Sequence, residues 1–463
     1  MMKYLLMISI FLYLITTIFP GIQIQYVISG LCMVIVLSTL FYVKWFVKGL
    51  GIVFLTLGIM MLATSDVDLE AYLLSFGPML NLLTLFAIVP ILALPIRLGN
   101  YQEGMQQLVN KKVKKSGHLY IMTSGVSYFL SIFMNIATLP MTYYSIKPTL
   151  NVFPLQNQER FLSRAIIHGF SMPLLWAPVT PIVGIVIEMN GVSWSSMLPY
   201  LIPFSIFGLL LDWVLGTRLS SKSSDKGMRY DSARNETAAT IETSSGGLNK
   251  ARRINQIFVA ILIFNLLISL IDYFFQFSFL IMVSLLVIPF SLTWSFMLKK
   301  GKEFFTGLKE HIDNHLLKMK DQFFTYLSAG FLISAIQYSG TDQLLNGAVG
   351  QFKNLIGAEA FLLIIPIIPL ILVFTGLHPA VTLALISGAL DPTFLGISPH
   401  VLTVAMLGGA VTAFLVGPFN GTIGLMSSII NVSPFKISNW NAPFTIIFLV
   451  SLMLYLFILN LMI

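Results

Sequence analysis

The run Ser131-Ile-Phe-Met-Asn135-Ile-Ala-Thr138-Leu-Pro140 lies in the middle of an otherwise apolar stretch, residues 118–146. Crossing roughly 30 Å of hydrocarbon takes about 20 helical residues, and this stretch is longer than that and polar at its centre. Proline removes a backbone donor and clashes with the preceding turn, so the helix unwinds locally. Unwound backbone at membrane depth leaves N–H and C=O groups unpaired, and it survives only where it lines a cavity or is buried in protein. The same sign recurs three times. It stands at Trp176-Ala-Pro178-Val-Thr180-Pro181 within 162–189, at Thr375-Gly376-Leu-His378-Pro379-Ala-Val-Thr382 within 359–390, and at Gly417-Pro418-Phe-Asn420-Gly421-Thr422 within 399–431. One proline in a membrane helix is commonly a plain kink. Four breaks, paired in like order between two halves, point to an inverted repeat with a site at its centre.

Composition fixes the solvent. Of 463 residues, 56% are hydrophobic and 10% charged, and mean hydropathy is +0.86. A soluble domain carries about a quarter charged residues, so lipid must cover most of this chain. Continuous apolar runs such as Ile257–Phe264 and Ala360–Phe374 exclude a β-barrel, whose strands alternate. The expected fold is all-α: a polytopic membrane protein of about 11 transmembrane helices plus two re-entrant helical hairpins, 118–146 and 359–390.

The net charge of +8 is not a nucleic-acid footprint, because the basic residues sit in loops between apolar segments. Cys32 is the single cysteine, which excludes an intrachain disulfide. The opening segment, Lys3 to Pro20, lacks a small-x-small cleavage site and reads as an uncleaved first helix.

Further segments are expected at 4–19, 22–41, 45–64, 72–96, 196–216, 254–275, 276–298, 322–340 and 442–462. Arg97, Lys111, Lys112, Lys114 and Lys115 mark one basic connection. Residues 217–253 hold eight lysines and arginines, and 299–320 hold six more. Placing all three in the cytoplasm requires 118–146 to enter and leave on one side. The expectation is an inner-membrane protein with a cytoplasmic N-terminus and an external C-terminus. Residues 1–71 form N-terminal scaffold helices and 72–216 the first repeat, with hairpin 118–146 and broken helix 162–189. A flexible cytoplasmic linker follows at 217–253. Residues 254–463 form the second repeat, with scaffold helices 254–298, hairpin 359–390 and broken helix 399–431. An amphipathic helix over 302–320, with Phe304, Phe305, Leu308, Ile312, Leu316 and Leu317 on one side, is expected along the interface; 101–115 carries a weaker pattern of the same kind.

The expected substrate and ion site gathers Asn135, Thr138, Pro140, Pro178, Thr180, Gly376, His378, Thr382, Pro418, Asn420 and Thr422. Half-helix N-termini that start at the breaks suit a carboxylate or other oxyanion. Freed carbonyls with the oxygens of Asn135 and Asn420 suit a small hard cation such as Na⁺. Replacing either asparagine by alanine is therefore expected to stop transport. Glu188, Asp212 and Asp272, the main acidic groups within spans, are expected at the interface in water, leaving no central carboxylate for a proton relay. His118, His168, His311, His315 and His400 are expected near segment ends or in loops. That leaves no convergent acids, bases or metal ligands for an enzyme, and no cofactor.

In plan, nearly the whole chain resembles the ion transporter superfamily, and within it the divalent-anion/sodium symporters. That family marks each hairpin tip with a Ser-Asn-Thr triplet. Here the first tip has Asn135-Ile-Ala-Thr138 and the second has Gly376-Leu-His378-Pro379, with Thr382 beyond. The resemblance implies a homodimer with a static scaffold and a mobile domain moving as an elevator. It also implies Na⁺-coupled carriage of a small organic anion. An ion or oxyanion exporter, a cation/proton antiporter, and a non-transporting component of a membrane complex are the alternatives.

Overall fold

The computed structural model describes residues 2–19, 24–99, 101, 113, 115–153, 155–221, 247–274 and 278–463. Most of the expected linker, 222–246, and of the weaker amphipathic stretch, 102–112, lies outside these residues. Among the described residues every regular element is helical.

The first group is α1 (Met2–Ile18), α2 (Gln25–Thr39), α3 (Trp45–Ala63), α4 (Leu69–Leu74), α5 (Leu80–Ile88) and α6 (Ala93–Leu98). Next come α7 (Ser116–Met134), α8 (Thr138–Ile146), α9 (Gln158–Ser171), α10 (Pro181–Met189) and α11 (Trp194–Ser221). The middle of the chain forms α12 (Gly247–Phe274), α13 (Phe279–Met297), α14 (Gly301–Lys318), α15 (Lys320–Tyr338) and α16 (Thr341–Ile356). The last group is α17 (Ala358–Ile364), α18 (Ile367–Val373), α19 (Pro379–Ala389), α20 (Pro392–Leu395), α21 (Pro399–Val416), α22 (Gly421–Ile430) and α23 (Pro434–Met462).

Among the described residues eight helical spans are long and apolar enough to cross a membrane, or nine if one bent pair counts as a span. The protein is thus an all-α polytopic membrane protein. The bent pair is α16 with 358–373, which meet at 114° around Gly357, whose φ of 89° suits glycine. Helix α16 was not anticipated. Asp342, Asn346 and Lys353 make it too polar to read as a span, and none of its residues is buried.

Burial separates centre from rim. The 399–430 span is 94% buried inside the protein, whereas α3 and 256–274 are each only 22% buried. The last two therefore turn their apolar sides outward, as lipid-facing helices do, and the broken span is the hub.

The chain doubles back on both sides of that hub. Tyr120 near the start of α7 meets Phe161 near the start of α9, while Tyr128 further along bonds Trp176 beyond the end of α9. Helices α7 and α9 therefore run parallel, and residues 135–157 must return between them. In the second half a Cβ at Gly409 would touch Pro366, and one at Gly417 would touch Val373. So α18 runs parallel to α21, and the chain returns between them in the same way.

Helix α14 is amphipathic, but its buried side is narrower than expected: Phe304 and Leu316 are buried, while Phe305 and Leu317 are exposed. Its Asp313 pairs with Lys3 of α1.

Candidate functional site

Each predicted break is a real interruption, and its cause is local. Helix α7 stops at Asn135, which takes φ 47° and ψ −134°, a region that asparagine tolerates better than most residues. A short 3₁₀ turn follows and α8 restarts at Thr138. At the second tip Gly376 takes φ 92° and α19 restarts at Pro379, capped by His378. Trp176 to Thr180 separates the 3₁₀ end of α9 from α10, and Gly417 to Asn420 separates α21 from α22. Proline or glycine is the first residue after both gaps, Pro181 and Gly421.

These breaks converge on a cavity of about 470 Å³. Of the predicted residues, Asn135, Thr180, His378 and Thr422 line it; Thr138, Pro140, Pro178, Gly376, Thr382, Pro418 and Asn420 do not. Thr138, Thr180, Thr382 and Thr422 are buried with hydroxyls that have no hydrogen-bond partner, so four oxygens beside the breaks remain unspent. His378 Nδ1 accepts from the Ala380 N–H at 3.2 Å and faces the Tyr326 hydroxyl at 2.8 Å. A backbone N–H can only donate, so Nδ1 is bare and the neutral ring carries its proton on Nε2, as a donor.

Asn135 and Asn420 part company. No hydrogen bond engages the Asn135 side chain among the described residues. Asn420, by contrast, accepts from Ile423 N at 2.8 Å and donates to Ala413 O at 2.8 Å and Phe414 O at 3.1 Å. It stitches the end of α21 to the start of α22. Asn420→Ala is accordingly expected to lower the unfolding temperature by about 2–3 °C, since a lost cap costs about 1 kcal/mol, further carbonyls lose donors, and in a chain of this length each kcal/mol moves melting by about 1 °C. Asn135→Ala should leave that temperature within about 1 °C of wild type. Equal melting of the two variants would refute the division of roles.

Sequence reasoning missed Arg97, Gln322, His311 and His315, which also line the cavity. The two histidines sit on α14, His315 in its last turn. The missed signal was position: His311 and His315 continue the stripe begun by Phe304 and Leu308, so they face inward. His311 Nε2 donates to Ala87 O at 2.8 Å, and His315 stacks on His311 with ring centroids 4.6 Å apart. Helix α14 is not among the membrane-spanning candidates. Burial, then His311 and Lys318, hold His315 down at about 4; burial and the Arg97 charge lower His311 as well. Both are neutral at pH 7. The unfolded chain takes up these protons near 6.5 and the folded chain does not, so stability is unchanged above that value and falls as pH drops toward about 4. Melting at pH 7 and pH 5 should therefore differ more for wild type than for His315→Asn; equal differences would contradict the shift.

Among the described lining residues Arg97 is the one permanent charge, and none is Asp or Glu. Phe86, Phe170 and Phe414 supply apolar walls.

A second polar centre corrects the expectation for Asp212 and His168. Asp212 is not at a wet interface; it is buried, as is His168. Its carboxylate receives Tyr120 Oη at 2.7 Å, Ser124 Oγ at 2.7 Å and His168 Nδ1 at 2.6 Å. Close packing makes this possible. A Cβ at Gly216 would lie 2.1 Å from the Tyr120 ring, and one at Gly208 would lie 2.3 Å from Met172 Sδ. The signal in the sequence was the stripe Gly208-x-x-x-Asp212-x-x-x-Gly216, which puts the carboxylate on the face of α11 that packs inward.

Together the fold and its central cavity define a polytopic helical membrane protein whose broken helices meet around one polar site. No model of a known protein family matches the chain, and no curated protein matches it. Among solved structures it is similar to the YdaH transporter of Alcanivorax borkumensis, with a TM-score of 0.60 and 13% sequence identity, over 89% of this chain and 97% of that one. The two share a fold.

Proposed function

We propose that this protein is a secondary transporter of a small organic anion, a monocarboxylate with an apolar body, coupled to Na⁺ and moving as an elevator in the inner membrane. One observation carries the reading. Four helix interruptions meet at a cavity whose described lining holds one permanent charge, Arg97, and no carboxylate. A single guanidinium suits one negative charge better than two, and it can grip a carboxylate through two parallel hydrogen bonds. The Nε2–H of His378 is a second donor. The three phenylalanines favour an apolar body over a second carboxylate.

Sodium is supported by the unpaired hydroxyls of Thr138, Thr180, Thr382 and Thr422, because small hard cations take oxygen ligands. The twofold plan supports alternating access. Asn135 and Gly376 are 241 positions apart and Gly169 and Gly409 are 240 apart, and the second half of each broken span touches the other half's returning arm, α10 on α19 and α22 on α8. An elevator of this kind works as a homodimer with the N-terminus in the cytoplasm. The likeness to a protein named as a transporter supports the same class.

The test is uptake of a panel of mono- and dicarboxylates by proteoliposomes under an imposed Na⁺ gradient or an imposed proton gradient. Monocarboxylate uptake driven by Na⁺ and lost in Arg97→Gln is the expected result. Dicarboxylates as the preferred solutes would overturn the substrate class, and export or exchange driven by protons alone would favour the antiporter reading.

A further inference from the structure

Helices α12 and α13 leave an open groove of about 650 Å³ between them, walled by 256–267 on one side and 286–298 on the other. Among the described lining residues none is charged, and Val259, Ile263 and Met297 are exposed. On a span that turns its apolar side outward, such a surface meets lipid. At a rise of 1.5 Å per residue the 256–267 wall is about 16 Å long, close to half of the roughly 30 Å hydrocarbon core. The groove is one leaflet deep. Beyond Leu267 the same helix continues through Leu270, Tyr273 and Phe274, all exposed and outside the groove. A helix of a second copy would need a seam along the whole span, whereas an acyl chain ends at mid-membrane.

The outer end of the groove is basic. Met297 and Leu298 lead straight into Lys299 and Lys300, and Lys302 lies in the first turn of α14. A Cβ at Gly301 would lie 2.6 Å from the Phe296 ring, so α14 starts against the end of α13. Glu303 engages Lys300 at 2.8 Å. Lys299 and Lys302 are exposed and have no ion pair among the described residues. On the other wall the sequence places Arg252 and Arg253 about one turn before Gln256.

We propose that this groove binds one anionic phospholipid, its phosphate on Lys299 and Lys302 and one acyl chain between α12 and α13. The site shares no lining residue with the central cavity. A lysine at the hydrocarbon edge is a compact positive charge that takes a phosphate oxygen, and a head group with net negative charge gains more from it than a zwitterionic one. The floor of the groove is aromatic. Phe290 and Trp294 line it, and behind them the Phe133 ring of α7 lies 6.1 Å from each, centroid to centroid. Phe133 stands two positions before the break at Asn135. An occupied groove therefore backs the ring that braces this tip.

The test measures lipid binding and no transport, so its outcome is independent of the substrate and Na⁺ assignments. Full-length protein in detergent, stripped of lipid, is titrated with phosphatidylglycerol or phosphatidylcholine bearing the same acyl chains, and bound lipid is counted by native mass spectrometry. One equivalent of phosphatidylglycerol is expected to bind about tenfold more tightly than phosphatidylcholine. The double variant Lys299→Gln, Lys302→Gln should erase that preference, and Ile263→Trp, which fills the acyl channel, should weaken both lipids. The three altered side chains are exposed, so the fold should tolerate them; should either variant fail to fold, the wild-type comparison alone decides. Equal binding of the two lipids to wild type overturns the proposal. So does a preference for phosphatidylglycerol that survives in both variants. An Ile263→Trp protein that keeps its lipid but changes its oligomeric state also overturns it, and assigns the groove to a second copy of the chain.

Discussion

Asp212→Ala is expected to leave little folded protein in the membrane. The substitution strips a partner from Tyr120, Ser124 and His168 together, all in a buried setting. Leaving a buried polar group without its partner costs about 1–3 kcal/mol for each group. Set against a total stability of about 5–15 kcal/mol, that is a large share. Asp212→Asn keeps the shape and one acceptor oxygen but loses the charge, so it should fall between wild type and alanine. Asp272→Ala is the control, since that carboxylate is partly exposed and, among the described residues, is bonded by Ser195 alone. Fluorescence-detected size-exclusion chromatography after graded heating would order the three. If Asp212→Ala melts within about 2 °C of wild type, the cluster is not a structural centre.

The sequence made the breaks legible because proline, glycine and asparagine act on the backbone locally, whatever surrounds them. Asn135, Gly376, Pro181 and Gly421 could be picked out from their own chemistry. The cavity wall contributed by α14 could not, because His311 and His315 acquire their role from where an amphipathic helix docks. Their burial follows from packing against Ala87 and its neighbours, some 224 positions away in the chain. Asp212 was misread for a related reason. A carboxylate near the end of an apolar segment ordinarily reaches water, and only the paired glycines around it, together with three donors from α7 and α9, keep it dry. Asn420 shows a further point: its residue type suited an ion ligand, and in the gap it occupies both amide hydrogens and one acceptor position of its oxygen are engaged by backbone.

Gly169→Ala and Gly409→Ala should damage the protein alike, because each glycine lies against the backbone of a neighbouring arm. A Cβ at Gly169 would lie 2.1 Å from the Ser124 carbonyl oxygen and 2.9 Å from its carbon. One at Gly409 would lie 2.6 Å from Pro366 O and 2.7 Å from Pro366 Cα. These neighbours are backbone, so no side chain can rotate aside; the whole arm, α7 or α18, must move. Overpacking of this kind costs about 1–3 kcal/mol, set against a helix-propensity gain of about 0.5–1 kcal/mol for alanine over glycine. Gly424→Ala isolates the second effect, since nothing lies within 4 Å of its Cβ position, and that variant should melt slightly higher than wild type. Each arm carries a tip of the site, Asn135 or the segment leading to His378. Displacement at either crossing should therefore also lower uptake at saturating solute several-fold, through misplacement of those side chains. If the two variants match Gly424→Ala in melting and wild type in uptake, neither crossing holds its arm in place, and the correspondence between the halves loses its physical basis.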